Sequence, residues 1–116
     1  MAAFDITNAD RIRWQRMAYD EVGVFLADAA TQGLPAIMWT IATTGAITGQ
    51  VNALTSTPAR QRDEFNAWVA YLGVTPSERT RNDGSVTLYA KFQRGDLVGG
   101  AIRAEIDPPT DDEDGA

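Results

Sequence analysis

The sequence predicts an α+β domain in which an antiparallel sheet of about five strands is covered on one face by two helices. Two long segments repeat apolar residues at steps of three and four, shorter segments alternate apolar with polar residues, and glycine or proline turns separate them. The expected order of elements is α-β-β-α-β-β-β. With 116 residues, of which 44% are hydrophobic, one domain over residues 1–106 can bury a core of its own.

The first helix is expected over residues 8–32. Thr7 or the residue after it can cap its start, and Asp10 in the first turn favours the helix dipole. Gly33 suits the left-handed position that ends a helix, and Pro35 prevents continuation. The apolar stripe that should pack on the rest of the domain consists of Trp14, Met17, Ala18, Val22, Phe25, Leu26 and Ala29.

A first β-hairpin follows. Residues 37–41 and 46–53 are the two predicted strands, and Thr43-Thr44-Gly45 supplies the turn. Gly49 inside the second strand predicts a bulge or the close approach of a neighbouring group, such as the ring of Trp39 across the pair.

The second helix is expected to begin at Thr57-Pro58, where a hydroxyl cap precedes proline in the first helical position, and to end at Gly73. Its apolar stripe is Phe65, Trp68, Val69 and Leu72. Both halves of the chain share a plan of helix, glycine stop, strand, turn and strand. This similarity is compatible with an internal duplication and also with the ordinary punctuation of a helix-to-hairpin connection.

Three strands complete the domain. Residues 77–81 are polar on both faces, which is typical of an edge strand, and Asn82-Asp83-Gly84 is a strong hairpin signal. The two strands that follow alternate clearly, the first with Val86, Leu88, Ala90 and Phe92 on one face and the second with Val98, Gly100, Ile102, Ala104 and Ile106. Most of the core is expected from Trp14, Phe25, Trp39, Phe65, Trp68, Leu88, Phe92 and Ile102.

Charge is distributed unevenly. The net charge is −6, but five of the sixteen acidic residues fall in residues 107–116, so residues 1–106 carry eleven acids against ten bases, a balance of −1. The segment after Ile106 has almost nothing to bury and contains Pro108-Pro109, which predicts a disordered acidic tail. Two interpretations remain open: a tail that aids solubility, or one that competes with an anionic ligand for the arginines of the chain.

Enzyme chemistry is not expected. The chain has no histidine and no cysteine, and its serines lack the motifs of nucleophilic catalysis. No phosphate-binding glycine loop occurs, and metal-ligand spacing is confined to the acidic tail, so neither a cofactor nor a metal is predicted. Without a secretory signal or an apolar run of about 20 residues, the predicted location is the cytoplasm, away from membranes.

Binding is the more informative hypothesis. The sheet face away from the helices should display Met38, Thr40, Thr48, Gln50, Thr87, Tyr89, Lys91, Arg103 and Glu105. The primary expectation is a small accessory protein that binds a protein partner, or a second copy of itself, through this face or a free strand edge. The alternative is a single-stranded nucleic-acid-binding module. The candidate binding surface is Tyr89, Lys91, Arg103, Arg79, Arg81 and Arg94.

Two simpler interpretations stand beside these. The open face can be a solvated surface that happens to include a tyrosine. On the first helix, Ile12, Tyr19 and Val24 lie away from the main stripe; they form either a second docking stripe or the margin of a wide buried face.

Three sequence stretches carry a resemblance. They are Trp39-Thr40-Ile41 with the glycine turn after it, the helix stretch from Phe65 to Gly73, and the closing run of residues 101–106. Over about two-thirds of the chain these stretches resemble small uncharacterised proteins of actinobacteria or their phages. The resemblance implies no activity, ligand or site residue.

Overall fold

The computed structural model describes residues 5–53, 57–96 and 98–108. Its elements are α1 (Asn8–Gln32), β1 (Met38–Ile41), β2 (Ile47–Gln50), α2 (Pro58–Leu72), β3 (Ser77–Thr80), β4 (Val86–Arg94) and β5 (Val98–Ile106). The α+β class, with two helices and five strands, is confirmed. The predicted disordered tail lies outside the described residues, apart from Asp107 and Pro108.

Both helices begin and end for the local reasons that the sequence suggests. The Thr7 hydroxyl accepts from the Asp10 backbone N–H at 3.1 Å, and the Thr7 N–H donates to the Asp10 carboxylate at 3.0 Å, which forms a capping box. The bond from the Thr7 backbone, together with Arg13, holds the pKa of Asp10 below its ordinary value. Gly33 and Gly73 close the helices with φ of 71° and 68°, in the left-handed region.

The sheet is mixed, so the prediction of a purely antiparallel sheet is wrong. The strand order is β1-β2-β5-β4-β3, and β2 pairs with β5 in parallel, whereas the other three pairs are antiparallel. After β2 the chain passes through α2 and re-enters the sheet at its far edge as β3. The β3-β4-β5 meander then brings the last strand back beside β2, which places β5 at the centre of the sheet.

Glycines allow two close contacts in this sheet. A Cβ built on Gly100 would lie 1.9 Å from the backbone oxygen of Ile47, so the parallel pair requires glycine at that position. A Cβ built on Gly49 would lie 2.9 Å from Cζ3 of Trp39, and the two residues are register partners. The predicted approach of the Trp39 ring to Gly49 is therefore confirmed.

The core lies between the helices and one face of the sheet. Six of the predicted core residues are buried, namely Phe25, Phe65, Trp68, Leu88, Phe92 and Ile102. Trp39 is half-buried and packs against this cluster, with its ring centroid 5.1 Å from that of Trp68 and 5.3 Å from that of Phe25. Such tilted and edge-to-face contacts add to the free energy gained by burying the rings.

The prediction that Trp14 belongs to the core is wrong. Trp14 is half-buried and lies outside the buried cluster, near the start of α1. There its Cβ contacts the β1–β2 turn, 2.9 Å from where a Cβ on Gly45 would stand. The apolar stripe thus leaves the sheet centre before it reaches the first turns of the helix.

The other face of α1 is open to solvent. Ile12, Tyr19 and Val24 are 57%, 70% and 47% exposed, so these residues are not the margin of a wide buried face. Among the described residues, neither helix combines the length and the apolar character that crossing a bilayer requires.

Candidate functional site

The strand register gathers polar side chains on the sheet face that the helices leave uncovered. Because side chains alternate along a strand, the partners of Arg103 share its face. Arg103 pairs with Gln50 of β2 and Tyr89 of β4, which in turn pair with Met38 and Ser77. One row of side chains therefore crosses all five strands, and Arg103 stands at its centre. We call this surface the open face.

A second row lies beside the first, toward the β3–β4 turn. It consists of Arg79, Thr87 and Glu105, which are register partners in pairs. Glu105 is the hub of its polar contacts: its carboxylate accepts from the Thr87 hydroxyl at 3.0 Å and pairs with Nη2 of Arg103 at 3.1 Å and Nη2 of Arg81 at 3.4 Å. Two guanidinium groups, one from β5 and one from the residue that follows β3, thus converge on one carboxylate.

A concavity of about 510 Å³ opens at this point. Its lining consists of Arg79, Thr80, Arg81, Asn82, Thr87 and Arg103. We call it the arginine concavity. Arginine donates through a planar fork that matches carboxylate and phosphate oxygens, so three arginines around one depression form a chemically suitable anion receptor.

Local structure orders the backbone of the strand that carries Arg79 and of the turn that carries Arg81. The Arg81 N–H donates to the Ser85 backbone oxygen at 2.8 Å, and the Asp83 carboxylate accepts from both the N–H and the hydroxyl of Ser85 at 2.8 and 2.6 Å. These bonds lower the pKa of Asp83. On the helix side of β3, Glu78 pairs with Arg62 of α2 at 2.9 Å, which anchors the strand.

The charge of the open face is opposite in sign to that of the whole chain. On the described strands of this face the cations are Arg79, Lys91 and Arg103, and the anion is Glu105. Three minus one leaves an excess of two positive charges, in a chain whose net charge is −6. The open face should therefore attract anionic groups at short range.

Five of the six sequence-predicted site residues come together here. Arg79, Arg81 and Arg103 line the arginine concavity, and Tyr89 is half-buried in the row next to it as the cross-strand partner of Arg103. Lys91 is exposed and lies one step further along the same face of β4.

Arg94 does not join them. Counting by twos from Leu88 places it on the helix face of β4, where its Nε donates to Glu21 of α1 at 3.2 Å. Its guanidinium carbon lies 5.2 Å from the ring centroid of Phe25 and 5.7 Å from that of Tyr71. These contacts tie the end of β4 to both helices and place Arg94 on the face opposite to the other five candidates.

Thr87 and Glu105 are two side chains in contact with this arginine cluster that the candidate surface omitted. Both were expected on the open face, but not as partners of the arginines. A signal was available, because Arg103 and Glu105 are two residues apart and so share a face with opposite charges. In the described ranges, no three carboxylates lie close enough together to hold a metal ion.

The two sheet edges differ in chemistry. β3 is exposed along its length and carries Glu78 and Arg79, as an edge protected from open-ended pairing does. β1, at the other edge, has the uncharged sequence Met-Trp-Thr-Ile, and Met38 is 57% exposed. If a partner strand adds to this sheet, the β1 edge is therefore the more receptive one.

Comparison with known proteins does not assign this chain to a family. A scan against models of protein families finds no match to this chain, and neither the search of curated proteins nor that of solved structures finds one.

Proposed function

We propose that this chain is a non-enzymatic, cytoplasmic binding module whose open face docks an acidic segment of a partner protein. The observation that carries the proposal is the excess of positive charge on the open face of a chain that is acidic as a whole. A net charge of −6 repels acidic molecules at long range, so binding of an anionic partner depends on a local excess of positive charge such as that of the open face.

Geometry favours carboxylates as the groups recognised. Arg81 and Arg103 already bind the carboxylate of Glu105, which shows that their side chains can converge on this group. Nη2 of Arg103 makes one contact with it, and Arg79 lines the same concavity. An incoming carboxylate can add to this network or displace Glu105 from it.

Fluorescence anisotropy with a labelled 20-residue oligoglutamate tests the proposal. The double variant Arg79→Gln/Arg103→Gln removes two cations from the arginine concavity. Arg11→Gln/Arg16→Gln, on exposed positions of α1, removes the same charge elsewhere. We expect the first variant to lose about tenfold in affinity and the second about twofold or less, because contact pairs contribute more than distant charge. Equal losses in the two variants would mean that net charge alone drives binding.

Single-stranded nucleic acid is the second candidate. Tyr89 favours it, because its ring lies half-exposed in the row of Arg103 and next to Lys91, where a base could stack while a phosphate meets the cations. Stacking platforms use successive aromatic rings, however, and Tyr89 is the one aromatic residue on the described strands of the open face. A labelled 15-residue oligouridylate in the same assay separates the candidates. If the oligouridylate bound more tightly than the oligoglutamate, and Tyr89→Leu weakened that binding, nucleic acid would be the preferred partner in place of an acidic protein segment.

Self-association through the β1 edge is a further form of the same function. Light scattering of the native chain, at the concentrations used for anisotropy, gives its mass. A dimer whose mass falls to that of one chain on Thr40→Lys would assign the contact to β1, since a charged side chain on an edge strand opposes pairing with another strand.

A further inference from the structure

Building on the proposed function, we infer that the acidic residues of the chain's own C-terminal segment, Asp111, Asp112, Glu113 and Asp114, occupy the arginine concavity in cis and compete there with the partner.

The position at which the segment leaves the sheet is the first support. β5 ends at Ile106, the register partner of Val86 at the start of β4. Two residues later, Cβ of Pro108 lies 3.2 Å from where a Cβ on Gly84 would stand, so Pro108 lies against the β3–β4 turn. Arg81 and Asn82, which begin this turn, line the arginine concavity. The chain therefore passes the rim of the concavity just before its acidic run.

Reach is the second support. Asp111 follows Pro108 by three residues and Asp114 by six, so an extended chain spans at most about 10 and 20 Å to them. Arg103 is three residues back along β5 from Ile106, a distance of about 10 Å at the rise of a strand. The carboxylates of residues 111–114 can therefore reach every arginine of the concavity without any rearrangement of the sheet.

Charge is the third support. Residues 111–114 carry four carboxylates in succession, and the strands of the open face carry an excess of two positive charges. A short tether gives a local concentration in the millimolar range, so even a weak electrostatic contact is populated in cis. The same reasoning names the chemistry of the partner: an acidic peptide segment that replaces the tail has to carry several carboxylates close together.

The sequence supplies a clean probe for this contact. The chain has no cysteine, so Ala116→Cys provides a single site for a nitroxide label in the full chain. We expect stronger paramagnetic broadening of the Arg79, Asn82 and Thr87 amide signals than in a matched chain with residues 111–114 neutralised (Asp→Asn and Glu→Gln). Thr44 and Asp96 lie in turns at the other end of the sheet and serve as reference amides.

Three results would overturn the inference. They are equal broadening in the native and neutralised tails, broadening that is as strong at the reference amides, and broadening that vanishes on dilution, which would assign the contact to a second copy. No partner is present in this experiment, so its failure leaves the proposed function standing.

A second experiment measures whether the tail lowers the affinity for the acidic probe. We expect the neutralised-tail chain to bind the oligoglutamate about three- to tenfold more tightly than the native chain, and the difference to collapse near 1 M salt, where screening acts within about 3 Å. An unchanged affinity would show that the tail does not compete. If neither chain bound the probe, the proposed function would fail, whatever the labelling experiment had shown.

Discussion

Replacing Gly100 by alanine should separate the central strands of the sheet. The new Cβ would stand 1.9 Å from the Ile47 backbone oxygen, whereas real Cβ atoms stay at least 3.0 Å from such a neighbour. β2 and β5 would have to move apart by about 1 Å along four paired residues. Backbone cannot rotate away as a side chain does, so we expect a loss of about 3 kcal/mol or more in the free energy of unfolding.

Gly99→Ala is the matched control. Its Cβ would meet Oε1 of Gln93 at 2.8 Å, which is the far end of a flexible side chain that can move aside. Neither glycine has positive φ in the structure, so steric contact alone distinguishes the two substitutions. Alanine is otherwise slightly favoured over glycine within a strand, and Gly99→Ala should change stability by about 1 kcal/mol or less.

Urea unfolding followed by tryptophan fluorescence measures both variants. A loss of 3 kcal/mol in a domain of this size corresponds to a fall of about 12–24 °C in Tm, which a thermal scan would confirm. If Gly100→Ala unfolded within about 1 kcal/mol of the native chain, the close parallel contact between β2 and β5 would be refuted, and with it the central position of Arg103.

Three further predictions concern single side chains. Glu105→Gln removes the carboxylate that occupies Arg81 and Arg103, so the oligoglutamate should bind about three- to tenfold more tightly. The control variant Asp63→Asn on α2 should change the affinity for this probe little. Weaker binding by Glu105→Gln would contradict competition at the concavity. Arg94→Lys loses the planar contact with Phe25 and Tyr71 and should destabilise the fold by about 1 kcal/mol without altering probe affinity; an affinity loss would return Arg94 to the binding surface. The fold lowers the pKa of Asp10 from its ordinary value of 3.8. The ionised carboxylate therefore stabilises the protein at any pH above 3.8, and this contribution disappears as the pH falls through the lower pKa of the folded state. Asp10→Asn should therefore be less stable than the native chain at pH 7, and the gap should close in urea titrations repeated in acid; a gap that stayed constant would show that the charge is not involved.

Local signals account for what the sequence predicted of the fold. Thr7 caps the start of α1, and Gly33 ends the helix in the left-handed conformation; each signal involves only a few neighbouring residues. The alternation in β4 and β5 likewise assigns each side chain to a face without any knowledge of strand order. The parallel pairing of β2 and β5 was missed because it depends on where the chain re-enters the sheet after α2. No residue near either strand encodes that choice by itself.

In the candidate site, too, some features follow from local sequence signals and others depend on how the strands pair. Arg103 lies 22 residues after Arg81 in sequence, and its common face with Arg79 follows from alternation once the strands are paired. Their convergence on Glu105 required the register, which sequence alone does not fix. The separation of Arg94 from the other candidates was foreseeable, since a period of two from Ala90 and Phe92 already places it on the covered face.

The central position of β5 has a consequence for recognition. One side of this strand supplies Ile102 and Ala104 to the core, and the other supplies Arg103 and Glu105 to the open face. Arg103 has paired strands on both sides, so the backbone that carries this charge is held in place. Arg79 and Arg81 come instead from an exposed edge strand and its turn, so their side chains can adjust to what binds. The arginine concavity thus joins a fixed half to an adaptable half, and substitutions at Arg103 should reduce affinity for an acidic segment more than equal substitutions at Arg79.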